Sequence, residues 1–262
     1  MTIKLHGTKQ KEETHGLIAK AWGNAELGAE IEIIQPNDLG GKSLEKILLK
    51  NFPDANSESK KKSRFITLTK SNDTPAIIDE WVEHTKLRLI RTTGFHSMPG
   101  LFGWNKIDVG SRLLSEHLPN LKGTGADFGC GYGFLTRHVL THNADTTTLY
   151  ALDYDVRAVE ACTKNIIDDR VVVKQADCTS RIDDLKPLDF VVMNPPFHDG
   201  ATEDRDMGQK FIETAARHLR SKGRAWIVAN KHMPYEKTIE KNFKSYEKII
   251  EQNGFKILKC IK

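Results

Sequence analysis

Across the C-terminal two thirds of the chain, short apolar runs alternate with segments whose apolar residues recur every three to four positions. Residues 147–153 and 171–177 are β-type runs that each close on an acid, and 188–193 is an unbroken apolar run that stops at Asn194. Between and around them, 134–140 and 156–167 have helical spacing. Residues 206–219 place Met207, Phe211, Ala215 and Leu219 for burial on one helical face, and Gly223 reads as the end of that helix. Residues 225–229 read as a fifth strand, 235–243 as a helix, and 247–251 with 255–260 as a closing pair around Gly254. Ahead of this block, 108–117 reads as a helix with Val109, Leu113 and Leu114 on its apolar face. Strands alternating with helices predict an α/β fold with a doubly wound, mostly parallel sheet. The final hairpin brings the expected total to seven strands, one of them antiparallel.

The N-terminal third is patterned differently. Residues 31–34, 65–69 and 86–90 are strand-like, and 43–50 is helical with Leu44, Ile47 and Leu48 on one face and Lys42 and Lys46 on a flank. Residues 55–63 are polar and charged throughout, which predicts an exposed loop whose lysine run is solvated. An aromatic and turn-rich segment, 95–104, leads into the larger block. The expected organisation is a small αβ N-terminal segment, 1–85, followed by a large domain, 86–262.

Composition adds bounds. A chain of 262 residues accommodates one large α/β domain with an appendage. Hydrophobic content is 39% and mean hydropathy −0.47, ordinary for a soluble protein. No apolar run reaches about 18 residues, and the first ten positions are polar, so neither a membrane span nor a signal peptide is expected and a cytoplasmic location is. Four scattered cysteines form no Cys-x-x-Cys pair, and the histidines show no ligand spacing, so no metal site is expected. A net charge of +4 permits contact with nucleic acid without requiring it.

Two motifs carry chemistry. The first is Ala126-Asp127-Phe128-Gly129-Cys130-Gly131-Tyr132-Gly133, directly before a helix, where glycines allow a tight turn and close approach of a ligand. It is not the dinucleotide fingerprint, because the sixth position from Gly129 is Phe134, and no Gly-Lys-Ser/Thr follows to make a phosphate loop. Asp127-Phe128-Gly129 spells a kinase tripeptide, but no His-Arg-Asp loop accompanies it. Asp153 lies about 20 residues further on, the distance at which an acid accepts hydrogen bonds from ribose hydroxyls. The second motif is Asn194-Pro195-Pro196-Phe197 at a strand end. Asn194 offers a carbonyl acceptor, Pro195 has no N–H, and Phe197 supplies a flat face, a set that suits a planar exocyclic amine. In a parallel sheet the turn 129–133, Asp153, Asp177 and Asn194 all fall at carboxyl ends of strands, on one edge.

The glycine turn resembles the S-adenosylmethionine loop of class I methyltransferases. More specifically, the chain resembles the ribosomal RNA guanine-N2 methyltransferases over about residues 86–262. The resemblance rests on Pro99-Gly100-Leu101-Phe102 with Asp108-Val109-Gly110-Ser111, on the glycine turn, and on Asn194-Pro195-Pro196-Phe197-His198-Asp199-Gly200. It continues through Met207-Gly208-Gln209-Lys210-Phe211-Ile212, Ala215-Ala216-Arg217-His218-Leu219 and Val228-Ala229-Asn230-Lys231-His232-Met233-Pro234-Tyr235-Glu236. It implies S-adenosyl-L-methionine as cofactor, held by Asp127, Gly129, Gly131, Gly133, Asp153, Asp177 and Asn194, with Asp177 toward the adenine amine. It implies Asn194, Pro195, Pro196 and Phe197 as catalytic, and Phe102, Phe197, Lys231, His232 and Tyr235 toward the substrate. The implied partner is ribosomal RNA or a ribosomal subunit, the small subunit favoured, with a monomer as the expected state. Adenine-N6 methylation, glutamine-N5 methylation and a non-catalytic cofactor-binding role in ribosome assembly stand as alternatives. Members with these motifs carry two tandem methyltransferase-like halves, and Gly41-Lys42-Ser43-Leu44 is similar to a run in the first of them, so residues 1–85 read as the tail of such a half.

Overall fold

The computed structural model describes residues 1–196 and 202–262, with backbone alone over 202–205. Phe197, expected at the site, lies outside the described residues. The chain divides into two compact units, Met1–Arg88 with Met98–Gly100, and Leu89–Ser97 with Leu101–Lys262.

The first unit contains β1 (Thr2–His6), α1 (Lys11–Asn24), β2 (Glu30–Pro36), α2 (Gly41–Asn51), β3 (Asn56–Lys60), β4 (Ser63–Thr69) and α3 (Ala76–Val82). Its four-stranded sheet runs β1-β2-β4-β3, with β1 and β2 parallel and the other pairs antiparallel. Alternation in β2 buries Ile31 and Ile33, and in β4 Ile66 and Leu68, against Leu48 of α2 and Trp22 of α1. The expected loop at 55–63 is instead a hairpin. Asn56–Lys60 pairs with β4 through a two-residue turn at Lys61 and Lys62, both at positive φ (48° and 60°). Its polarity is that of a sheet edge: little of β3 is covered, so no apolar alternation marks it.

The second unit begins with a two-stranded ribbon, β5 (Arg88–Ile90) and β6 (Phe95–Ser97), followed by α4 (Val109–His117). Then come β7 (Gly123–Phe128), α5 (Phe134–His142), β8 (Thr146–Asp153), α6 (Val156–Asn165), β9 (Val171–Gln175) and β10 (Leu188–Met193). The remainder is α7 (Thr202–His218), β11 (Leu219–Asn230), α8 (Glu236–Asn242), β12 (Ser245–Gln252) and β13 (Phe255–Ile261). The seven strands are ordered β12-β13-β11-β10-β7-β8-β9. β13 alone runs opposite to the other six. Period-two alternation in β10 sends Val191 and Met193 to the face covered by Phe211 and Ile212 of α7. It sends Phe190 and Val192 to the face covered by Leu114 of α4 and Val139 of α5. Both faces are dry, which is why the strand reads as an unbroken apolar run.

β11 starts earlier than the spacing suggests. Gly223, expected to end α7, sits inside the strand where the register with β10 shifts, close under the Leu188 carbonyl. The chain runs outward through β7, β8 and β9, then returns to place β10 on the other side of β7. The carboxyl ends of β7 and β10 therefore flank the point where strand order reverses, the place where open α/β sheets bind ligands. Among the described residues no helix is long and apolar enough to cross a membrane.

Candidate active site

The glycine turn is stapled to the end of the next strand. The N–H groups of Gly129 and Cys130 both donate to the Leu152 carbonyl, at 2.8 and 2.9 Å, and the N–H of Gly131 donates to Asp153 Oδ2 at 2.8 Å. Gly131 has φ 54°, and a Cβ there would meet nothing within 4 Å, so the turn's open side is bare backbone. Gly133 has φ 93° and precedes α5; a Cβ there would stand 3.0 Å from the Cys162 sulfur and 3.2 Å from Ile166. One glycine leaves room for a ligand and the other seats the helix. Gly129 faces Phe211, and Cys130 is buried with its thiol turned to the Gly131 carbonyl.

Two carboxylates lie beneath the turn. Asp153 Oδ1 accepts from the N–H of Asp155 at 2.9 Å, and burial raises its pKa. Asp127 is 1% exposed, and its Oδ2 accepts from the Thr136 hydroxyl at 2.6 Å. Its Oδ1 has no partner among the described residues. Burial pushes the Asp127 pKa up to about 7; the charge of Asp153 adds to this and the Thr136 hydrogen bonds oppose it. Tyr154 and Val156, flanking the acid-bearing turn, are exposed apolar surface. Asp177 lies past β9 in an exposed turn, where its Oδ1 accepts from the Thr179 N–H and hydroxyl, and the hydroxyl bond lowers its pKa.

Asn194 ends β10. Its Nδ2 donates to Asp108 Oδ2 at 3.0 Å and to Ser111 Oγ at 2.9 Å. Asp108 is the N-cap of α4, the same Oδ2 accepting from the Ser111 N–H at 2.8 Å. The Asn194 Oδ1 is screened from water and has no partner among the described residues. Pro195 is buried and Pro196 partly so.

Of the residues expected toward the substrate, Phe102 is 59% exposed, and Lys231 and His232 are exposed just past β11. The loop they occupy is fixed from below by Lys256, 4% exposed, whose ammonium donates to the Met233 carbonyl at 2.8 Å and pairs with Glu236. Tyr235 does not meet its expectation of substrate contact. It is 1% exposed within the core, with its hydroxyl so close to Gly208 that a Cβ there would lie 1.9 Å from the oxygen. Burying the ring beside a residue with no side chain is what removes it from the surface.

Three site residues were not singled out from the sequence. Asp108 and Ser111 lie in a stretch that carries the family resemblance, but as a role they show there only the start of a helix, the Asp-x-x-Ser spacing of a cap. Asn165, at the end of α6, donates to the carbonyls of His96 and Tyr132, both at 2.8 Å, and accepts from the His96 N–H. It ties β6 to the glycine turn, and nothing in its local sequence distinguishes it.

A family model described as methyltransferase small domain matches residues 92–259. The ribosomal RNA small subunit methyltransferase C of Vibrio parahaemolyticus is 30% identical over 97% of this chain and 75% of its own length. That of Shewanella loihica is 35% identical over 62% of this chain and 47% of its own length. The chain thus spans about half the length of this relative and of that from Shewanella denitrificans. A solved 16S rRNA N2 G1207 methyltransferase of T. thermophilus, in complex with AdoMet and guanosine, superposes with a TM-score of 0.81 at 22% identity, covering 100% of this chain and 72% of that one.

Proposed function

Because the chain belongs to the methyltransferase small domain family, we propose that it is an S-adenosylmethionine-dependent methyltransferase acting on the exocyclic N2 amine of a guanine in small-subunit ribosomal RNA. The observation that carries this reading is the carboxamide oxygen of Asn194, buried with no partner among the described residues and held at the strand end beside the glycine turn. A buried acceptor without a donor costs about 1–3 kcal/mol. A substrate N–H recovers that loss once the atoms screening the oxygen shift to admit it.

The residues present fit the cofactor. The bare backbone at Gly131 leaves space, Asp153 retains lone pairs for ribose hydroxyls, and Tyr154 and Val156 present an exposed apolar surface to a base. S-adenosylmethionine supplies a methyl group on a sulfonium whose leaving group is already built in. The protein's part is positioning and electrostatics. The guanine amine is planar, its lone pair delocalised into the ring. Hydrogen bonds from its two N–H groups to Asn194 Oδ1 and the Pro195 carbonyl draw it toward tetrahedral geometry. They also stabilise the positive charge that grows on nitrogen as the N–C bond forms, before a proton leaves. Phe197 stacking belongs to the same proposal and is worth about 1–3 kcal/mol. Lys231 and His232 meet phosphate, and Asp177 meets the adenine amine after giving up a Thr179 bond. The 1–88 unit bears on which RNA is chosen.

The test is transfer of labelled methyl from S-adenosylmethionine to unmodified ribosomal RNA and to ribosomal subunits, with nucleoside analysis. N2-methylguanosine is the expected product, and Asn194→Ala is expected to lose about 100-fold or more in kcat, on the scale of a lost transition-state hydrogen bond, with cofactor binding retained. Methyladenosine or methylated protein would move the activity to another amine or amide. Absence of label despite cofactor binding would overturn the enzymatic reading.

A further inference from the structure

We infer that Asp108 and Ser111 are positioning residues for methyl transfer, locking the Asn194 carboxamide with its oxygen, rather than its nitrogen, toward the incoming amine; the inference rests on the function proposed above. A terminal amide has two nearly isosteric ends, one an acceptor and one a donor, and its last torsion is soft. Turned half around, Asn194 would present N–H groups to an amine that must itself donate, and the hydrogen bond from the amine to Asn194 would fail, leaving the Pro195 carbonyl as the remaining acceptor.

The geometry selects one orientation. Nδ2 faces two oxygens, Asp108 Oδ2 at 3.0 Å and Ser111 Oγ at 2.9 Å. A hydroxyl alone enforces nothing, because it donates or accepts as required. A carboxylate only accepts, so a flipped amide would set two acceptor oxygens against each other. Asp108 therefore supplies the polarity, and Ser111 the second direction that fixes the plane. The carboxylate is itself held: it caps α4 through the Ser111 N–H at 2.8 Å. The intervening Gly110 is packed so closely that a Cβ would stand 2.9 Å from the Phe255 ring and 3.1 Å from Asp108 Oδ2. The anion behind the amide also polarises it, raising electron density on Oδ1 where positive charge develops on the substrate nitrogen.

The Asp108→Ala variant is expected to lower kcat about 10- to 100-fold, with the S-adenosylmethionine dissociation constant little changed. Asp108→Asn keeps the volume and, with its one oxygen held on the Ser111 N–H, still sets an acceptor against Asn194 Nδ2; lacking the charge behind the amide, it loses less turnover than Asp108→Ala while folding normally. Ser111→Ala loses a few-fold, and Ser111→Thr, which keeps the hydroxyl, restores most of it. The decisive comparison is Asp108→Ala in an Asn194→Ala background: action through Asn194 predicts no further loss, whereas a merely structural role predicts the same proportional loss again. Independently of activity, the side-chain amide resonances of Asn194, identified by their absence in Asn194→Ala, should exchange slowly with solvent in the unsubstituted protein and rapidly in Asp108→Ala. Additive losses, or amide resonances unmoved by Asp108→Ala, overturn the inference. If the unsubstituted protein methylates neither ribosomal RNA nor subunits, the functional reading falls, and the resonance measurement alone decides the clamp.

Discussion

Asp127 holds a carboxyl group in a fully dry setting, and the consequence for stability has a definite sign. Its pKa in the folded chain is about 7 against 3.8 for the free group. Between those values the native state keeps a proton that the unfolded chain has released. Stability therefore falls as pH rises through the window, at up to about 1.4 kcal/mol per pH unit, and levels off above the folded value. Asp127→Asn should flatten this dependence and raise the unfolding midpoint at pH 8 relative to the unsubstituted protein, while the two converge near pH 4. Urea unfolding at several pH values measures it, and a parallel pH profile in both proteins would refute it. Asp153, raised in the same direction by burial, leaves a residual slope of the same sign. At this scale the sequence located both acids but not their states, because protonation depends on burial that residue type does not disclose.

The glycine turn and the helix after it are one element with two separable demands. Gly131→Ala places a side chain at φ 54°, at a strain of about 1–2 kcal/mol, in space that the protein leaves open. The variant should fold with a modest loss of stability and bind S-adenosylmethionine at least ten-fold more weakly. Gly133→Ala carries similar strain and also presses on Cys162 and Ile166, so its loss of thermal stability should be the larger. Calorimetry of binding and of unfolding separates the two; equal effects on both quantities would deny the distinction. The turn was legible because glycine spacing before a helix is a local pattern. The hairpin strand at Asn56–Lys60 was not, since an edge strand with little to cover carries no apolar alternation.

At the scale of the molecule, net charge and sheet topology act together. The chain is only modestly basic, at +4, so the RNA binding proposed for it calls for cations gathered at the site edge rather than a general field. Lys231 and His232 are exposed beyond β11, on a loop braced by the buried Lys256. Lys231→Ala is expected to weaken RNA binding evenly across sequences and to reduce the slope of log affinity against log salt by about one. An unchanged slope would remove it from the interface. The order of elements from α4 onward, the seven strands of the large sheet and the polar groups at the carboxyl ends of four of them were legible in the sequence. Each is written in residues close together along the chain: an apolar run, the acid or asparagine that stops it, the glycines that turn it. What only the tertiary structure decided is where those side chains point. Tyr235, in a motif that resembled a substrate loop, turns inward because Gly208 leaves room for its ring. Asn194 owes its orientation to Asp108, 86 residues earlier in the chain. A side chain's direction is set by whatever the fold brings against it, and here those partners are distant in sequence.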